Sequence, residues 1–276
     1  MSRTLRLYVL AACIGGLVGP APALANEDAA ARAQEERPEL PVLVLEIGAG
    51  VRFRNIHLEV GDGASGSESR SFETGAYFDF AWHLLLRPMA RRTSRPSAQA
   101  ILLQLDGGSG IALRAEVSGI ELETNTWRML GQFGYLYPMG RLQLGGLVGV
   151  GGDVFAIDLN SVLPSSRIIY ARLGPALCYA LVPRFLSIRA DFGLRVPFYF
   201  GALEDAFGDR TSGIGLDAAL TLHGWLNVGF SYAVRFVWEY YRLRFSGSSM
   251  NVPAMGDGGD GNDHALTIQF LFGWSL

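Results

Sequence analysis

The last residues of the chain, His264–Leu276, read HALTIQFLFGWSL, and their alternation decides the fold. Leu266, Ile268, Phe270, Phe272, Trp274 and Leu276 form one apolar row. Ala265, Thr267, Gln269, Leu271, Gly273 and Ser275 form the other, mostly small or polar. A period of two belongs to a strand with two unlike faces. The apolar row is too large and too continuous to face water, so something apolar must cover it.

Working back along the chain, the same alternation recurs from Val42 onward. It predicts ten strands: Val42–Glu59, Ser71–Leu86, Ala98–Glu116, Glu121–Tyr137, Arg141–Asp158, Arg167–Val182, Phe185–Gly201, Gly213–His223, Leu226–Phe245 and His264–Leu276. Most exceed the five or six residues usual in a soluble sheet. The connections alternate in length. PMGR at Pro138–Arg141, VPRF at Val182–Phe185 and HGWLN at His223–Asn227 are tight, whereas GDGASGSES, DLNSVLPSS, GALEDAFGDRTS and SGSSMNVPAMGDGGDGND are long and polar. Two links break the rule. Arg87–Gln99 is long where a tight turn is due and could hide a further strand, and Val117–Ile120 is short where a loop is due.

In a soluble sandwich the apolar face points inward. Here the opposite assignment fits better. Leu186, Ile188, Ala190, Phe192, Leu194, Val196, Phe198 and Phe200 oppose Ser187, Arg189, Asp191, Gly193, Arg195, Pro197 and Tyr199. In the second strand Phe72, Ala76, Phe78, Phe80, Trp82 and Leu84 oppose Glu73, Gly75, Tyr77, Asp79 and His83. Aromatic residues gather toward strand ends, among them Tyr135, Tyr137, Trp225, Trp238, Tyr240, Tyr241 and Trp274, as interfacial girdles require. No unbroken apolar run after the N-terminal segment is long enough for a membrane helix. Backbone polar groups in lipid must all be paired, which leaves a closed barrel.

With these features Val42–Leu276 resembles the bacterial outer-membrane β-barrel superfamily, without a motif for any subfamily. The resemblance implies an all-β, transmembrane, antiparallel up-and-down barrel of about ten strands, with eight to twelve compatible. It also implies residence in the outer membrane of a Gram-negative bacterium, in contact with its lipid and with the barrel-assembly machinery. Phe270, Phe272, Trp274 and Leu276 would be the C-terminal assembly strand, although that family usually ends on Phe or Trp rather than Leu. A large soluble β-sandwich is the competing architecture.

Composition agrees. There are 35 Gly, 16 Phe and 10 Tyr in 276 residues, which favours β architecture. All 23 basic residues are Arg, so a phosphate-loop lysine and a Schiff-base lysine are excluded. The net charge of −3 and the absence of an Arg-dense stretch argue against nucleic acid. Residues 1–25 have the layout of a secretory signal. Arg3 and Arg6 precede the apolar Leu7–Val18, and Ala23-Leu24-Ala25 offers a cleavage site. Leu10-Ala11-Ala12-Cys13 resembles a lipobox, so lipidation at Cys13 stays open. Residues 26–41 form a polar leader, and 42–276 the barrel. After cleavage before Asn26 only Cys178 would remain, on an inward row as a small filler.

The inward rows predict a lumen ion-pair network of Glu46, Arg52, Glu73, Asp79, Arg114, Arg128, Arg172, Arg189, Asp191, Arg195, Asp217, Arg235 and Glu239. Asp106, Glu116, Asp153 and Arg54 fall on the same faces. The near-balance of sign suggests pairs that plug a narrow lumen, since open channels need about sixteen strands. Omptin-type proteases use Asp-x-Asp opposite Asp-x-His, and neither occurs here; nor does the His-x-Ser of lipid A deacylases or a G-x-S-x-G elbow. Asp79 and His83, four apart on one face, are a weak acid–base candidate. DGGDGND offers Asp257, Asp260, Asn262 and Asp263 as oxygen donors that suit Ca²⁺, although without EF-hand spacing. LGGLVGVGG at Leu144–Gly152 lacks nucleotide-loop spacing, and its glycines suit a bent strand or the close approach of large lumen side chains. The expectation is a small, non-enzymatic barrel without catalytic residues or cofactor. It would act through its outer loops on an extracellular ligand or as a structural envelope protein. A narrow passive channel is the alternative, followed by an enzyme acting on lipid or peptide.

Overall fold

The computed structural model describes residues 40–61, 67–93, 95–117, 120–157, 164–183, 185–226, 229–247 and 258–276, with side chains undescribed at 67–68 and 111–123. The expected signal segment and the leader up to residue 39 lie outside the described residues. Ten strands follow in order: β1 (Leu43–Gly61), β2 (Ser67–Leu86), β3 (Ile101–Val117), β4 (Ile120–Met139), β5 (Leu142–Ile157), β6 (Ser166–Val182), β7 (Leu186–Tyr199), β8 (Ser212–Trp225), β9 (Phe230–Phe245) and β10 (Gly259–Ser275). Two short helices lie between strands, α1 (Pro96–Gln99) before β3 and α2 (Ala202–Phe207) before β8. The long link after β2 thus carries one helical turn, and no further strand lies among its described residues.

Each strand pairs antiparallel with its sequence neighbours, and β1 pairs with β10 to close the barrel. The seam is continuous from Val44↔Ser275 to Val60↔Gly259. Leu276 extends it: its carbonyl accepts Val42 N–H at 2.6 Å, and its own N–H reaches the Leu43 carbonyl at 2.8 Å. Every strand thus has a neighbour on both sides, which is the condition for strands in lipid, although β2 and β3 pair with each other only from Leu86↔Leu103 to Phe78↔Ile111.

Following register partners once round the wall, from Val44 through Leu85, Gln104, Gln132, Gly149, Arg172, Arg195, Gly215, Tyr241 and Asp263, returns to β1 at Ile56, twelve residues beyond the start. That stagger on ten strands tilts them about 40° and sets a backbone radius of about 10 Å, narrow enough for side chains to fill.

The outer surface carries an apolar band. On β1, Leu45, Ile47, Val51 and Phe53 are exposed; above them the same outward row continues as Asn55, His57 and Glu59. On β10 the row runs from Trp274, Phe272 and Phe270 through Ile268 and Leu266 to His264, Asn262 and Asp260. On β9 it ends in Arg242 and Arg244. The band is about 25 Å tall at this tilt, the height of the apolar belt of a membrane barrel. Trp127 and the stacked Trp238 and Tyr240 lie toward its upper edge; Tyr135, Tyr137, Tyr179 and Trp274 lie toward its lower edge. The strands therefore cross lipid and continue beyond it.

Inside, three layers follow one another. Val44, Leu85, Leu102, Leu136, Leu147 and Ala176 form an apolar floor near the end where β1 begins and β10 finishes. A charged layer comes next. Above it Ile56, Leu58, Val60, Phe72, Phe155, Ile168, Leu243 and Phe245 form a second apolar core, closed by Leu203, Ala206 and Phe207 of α2. Phe207 packs on Phe245 at 5.3 Å, and its carbonyl accepts Gly258 N–H at 2.8 Å. Where β1 leaves lipid, its two faces exchange character without a change of parity. On β1 the inward row passes from Arg52 and Arg54 to Ile56, Leu58 and Val60 while the outward row turns polar. In lipid the wall is apolar outside; in water it is apolar inside.

Two bulges change expected faces. Arg52 pairs with Tyr77 but Arg54 with Thr74, so β2 holds one extra residue near Gly75 and Ala76. Beyond that point the parity flips. Glu73, expected in the lumen network, points outward and is exposed, while Phe72 enters the upper core. At the end of β7 a similar shift turns Tyr199 outward and buries Phe200. The glycine run on β5 does admit a large lumen side chain: a Cβ at Gly151 would lie 2.5 Å from the Tyr170 ring.

Candidate functional site

The charged layer is the site the fold builds, and its centre is Arg195 of β7. The Arg195 guanidinium donates to Asp217 (2.6 Å), Glu239 (2.7 Å), Asp153 (3.2 Å) and the Tyr241 hydroxyl (2.7 Å). It also lies over the Tyr170 ring, 4.5 Å from the centroid. Tyr241 in turn donates to Asp153 at 2.7 Å. Around this centre Arg172 grips Asp217 through Nε and reaches Asp191 at 2.7 Å. Arg52 meets Glu239 at 2.7 Å, and Arg128 holds Asp79 through two bonds of 2.6 and 2.7 Å. Gln269 adds a third donor to Asp79 at 3.0 Å. Higher up, Arg54 pairs with Asp263 through Nε (3.0 Å) and Nη2 (2.5 Å). Planar, bidentate pairing of this kind explains why an all-arginine cation set serves the layer.

Glycines make room for the guanidiniums. A Cβ at Gly193 would lie 2.4 Å from Arg172 Nε, and one at Gly108 2.6 Å from Arg128. Nearer the floor, Asp106 accepts from Arg235, from Gln104 (2.5 Å) and from His83 (2.8 Å). His223 and Glu46 share a bond of 2.8 Å. Arg189 donates to Gln104 at 2.7 Å, with Asp191 at 3.8 Å. Arg87, in the turn after β2, is buried, and among the described residues its guanidinium has only the Gln143 amide oxygen as partner, at 3.1 Å. Burial and the nearby Arg189 charge push its guanidinium down to about 10.

Of the residues expected in the network, Glu46, Arg52, Asp79, Arg128, Arg172, Arg189, Asp191, Arg195, Asp217, Arg235 and Glu239 line the lumen and are brought together as described. Glu73 is not. The side chain of Arg114 lies outside the described residues, as does that of Glu116; only the backbone register Arg114↔Glu123 is seen. Asp79 and His83 do not form a pair, because each turns to a partner on another strand: Arg128 for one, Asp106 for the other. Sequence reasoning missed His223–Glu46 and the Tyr241 hydroxyl, whose partners lie on distant strands.

The oxygen donors assigned to Ca²⁺ do not converge. Asp257 lies outside the described residues. Gly259–Asp263 are strand rather than loop, so alternate side chains diverge: Asp260 and Asn262 point outward, while Asp263 points inward to Arg54. Among the described residues no group of His, Cys, Asp and Glu could hold a metal. Phe270, Phe272 and Trp274 of the terminal strand face the lipid band, all more than half exposed.

Among the described residues, a Ser–His contact lies on the outer wall above the band. His57 Nδ1 and Ser71 Oγ are 2.7 Å apart, and Glu59 lies 3.7 Å from His57 Nε2. All three stand on an open strand surface, and Glu59 is exposed.

No protein-family model matches the chain, and no curated protein matches it in sequence. Among solved structures it is similar to the outer membrane protease OmpT from Escherichia coli, with TM-score 0.50 and 11% identity over 85% of this chain and 96% of that one. A FadL homologue from Pseudomonas aeruginosa matches at TM-score 0.35 and 8% identity, covering 88% and 93%. A mutant of the monoaromatic hydrocarbon channel TodX matches at 0.34 and 9%, covering 88% and 94%. At these identities the likeness concerns the fold: the chain has the closed antiparallel barrel of outer-membrane proteins.

Proposed function

We propose that this protein is an outer-membrane envelope barrel that does not conduct, and that its task lies in the part that rises above the lipid. The interior packing carries this reading. An apolar floor, an ion-paired layer and an upper apolar core succeed one another, and α2 closes the top. Side chains of non-adjacent strands meet across the lumen at Phe72–Phe155, Tyr241–Asp153 and Arg189–Gln104, as a ten-stranded radius of about 10 Å allows. Above the band the outward rows present Asn55, His57, Glu59, Arg242, Arg244 and Asp260, a polar rigid stalk that would carry loops suited to a surface ligand. Planar-bilayer recording of refolded protein tests the sealed lumen. Electrical silence is expected; steady unitary currents would favour the narrow-channel reading instead.

Hydrolysis is the second reading, prompted by the Ser71–His57–Glu59 contact and by the protease with the same fold. Turnover of peptide or lipid by refolded protein, lost on Ser71→Ala, would establish it. The open strand surface and the solvated Glu59 favour an ordinary surface hydrogen bond.

A further inference from the structure

Two guanidiniums near the lower mouth of the barrel lack a close carboxylate: Arg87, just beyond the apolar floor, and Arg189, which rises from the level of the floor. Arg52, Arg54, Arg128, Arg172, Arg195 and Arg235 each hold a carboxylate at 2.7 Å or closer. Arg87 holds none among the described residues. It is 5% exposed, it donates only to the neutral Gln143, and its Nε and Nη1 have no partner. Arg189 comes nearest to sharing this condition. Its close bond goes to neutral Gln104, its Nε is unpartnered, and Asp191, at 3.8 Å, is held more tightly by Arg172 at 2.7 Å. Leaving a buried guanidinium N–H unmade is costly, so Nε and Nη1 of Arg87 and Nε of Arg189 call for an acceptor.

Register brings them to the same place. Gln143, Cys178 and Arg189 are successive cross-strand partners on β5, β6 and β7, all on the inward face. Such neighbours have Cβ atoms about 5 Å apart. Arg87 reaches Gln143 from the end of β2, which brings its guanidinium near both Arg189 and the partly buried Cys178 thiol. Cys178 lies toward the end of the barrel where β1 begins and β10 finishes, opposite the α2 end.

We propose that Arg87 and Arg189 form a site for a small oxyanion, a phosphate or carboxylate group, bound beside Cys178 at this mouth. The unpartnered N–H groups of both residues would supply a divided fork for such a group.

The native thiol reports on the site. In refolded full-length protein carrying Cys13→Ser, Cys178 is modified by an anionic (sulfonatoethyl) or a cationic (trimethylammonioethyl) methanethiosulfonate, with mass spectrometry as the readout. Two guanidinium charges at ~6 Å favour the anionic reagent by about tenfold or more. Inorganic phosphate is expected to slow the reaction, and Arg87→Gln with Arg189→Gln to remove both the preference and the protection while the barrel stays heat-modifiable. Protection by phosphate in lipid-free micelles assigns a soluble anion. Protection that appears only with added phosphatidylglycerol assigns a lipid headgroup of the same chemistry. Equal rates for the two reagents, a thiol inert to both, or indifference to both phosphate sources in the unsubstituted arginine background overturns the proposal even if the double variant fails to fold.

Discussion

Arg172 and Arg195 face each other as direct register partners on β6 and β7, both buried, and Asp217 of β8 sits between them. It accepts Arg172 Nε at 2.9 Å on the same oxygen that accepts Arg195 Nε at 2.6 Å. Like charges directly opposite on a sheet repel. The shared carboxylate converts that repulsion into a triad, and Asp191 and Glu239 complete the neutralisation.

Asp217→Asn removes the charge that the two buried guanidiniums share, leaving Arg172 with Asp191 and Arg195 with Glu239 and Asp153, with an expected loss of about 3–5 kcal/mol. Asp260→Asn, on the exposed row of β10, serves as control and should stay within about 0.5 kcal/mol. Urea unfolding followed by tryptophan fluorescence distinguishes the two. Equal midpoints for both variants would mean that the triad is not a structural unit.

The lipid band predicts a depth effect along one face of one strand. Ile47→Arg places a charge inside the apolar belt and should cost about 2 kcal/mol or more, whereas Glu59→Arg on the same outward row should be nearly neutral. Refolding yield in lipid vesicles measures both. Equal yields would remove the band from its assigned height.

The upper core behaves as a soluble protein's core does. Phe207→Ala empties the lid of α2 against Phe245 and should cost about 3–5 kcal/mol. Added protease should then cut near 201–208 while the lipid-embedded part stays protected; a fragment pattern unchanged from wild type would mean that α2 does not close the top.

Removal of Trp274–Leu276 deletes the seam bonds between Leu276 and both Val42 and Leu43. The truncated chain should lose the fast-migrating unboiled form on gels, or keep it only at lower temperature. A mobility shift of full thermal stability would show that closure of β1 on β10 does not need the last turn of pairing.

Period-two alternation from Val42 to Leu276 was sufficient for ten strands, their order and the apolar exterior, because in lipid the outward row has no choice but to be apolar. Arg52, Asp79, Arg172, Arg195, Asp217 and Glu239 were legible as inward charges for the same reason. What parity cannot carry is a one-residue insertion, and the extra residue near Gly75–Ala76 sends Glu73 to the outside although its row had looked inward. Nor does parity alone assign a solvent. The exchange from Arg52 and Arg54 to Ile56, Leu58 and Val60 records where β1 leaves lipid for water, which becomes visible only beside its neighbours. Pairing between strands was equally out of reach: His83 was drawn toward Asp79 by its spacing, yet the register of β2 on β3 places Asp106 directly opposite it. Alternation and solvent chemistry determined the wall. The stagger and the bulges, which are properties of the closed ring, decided which charge meets which, and left Arg87 and Arg189 without a carboxylate of their own.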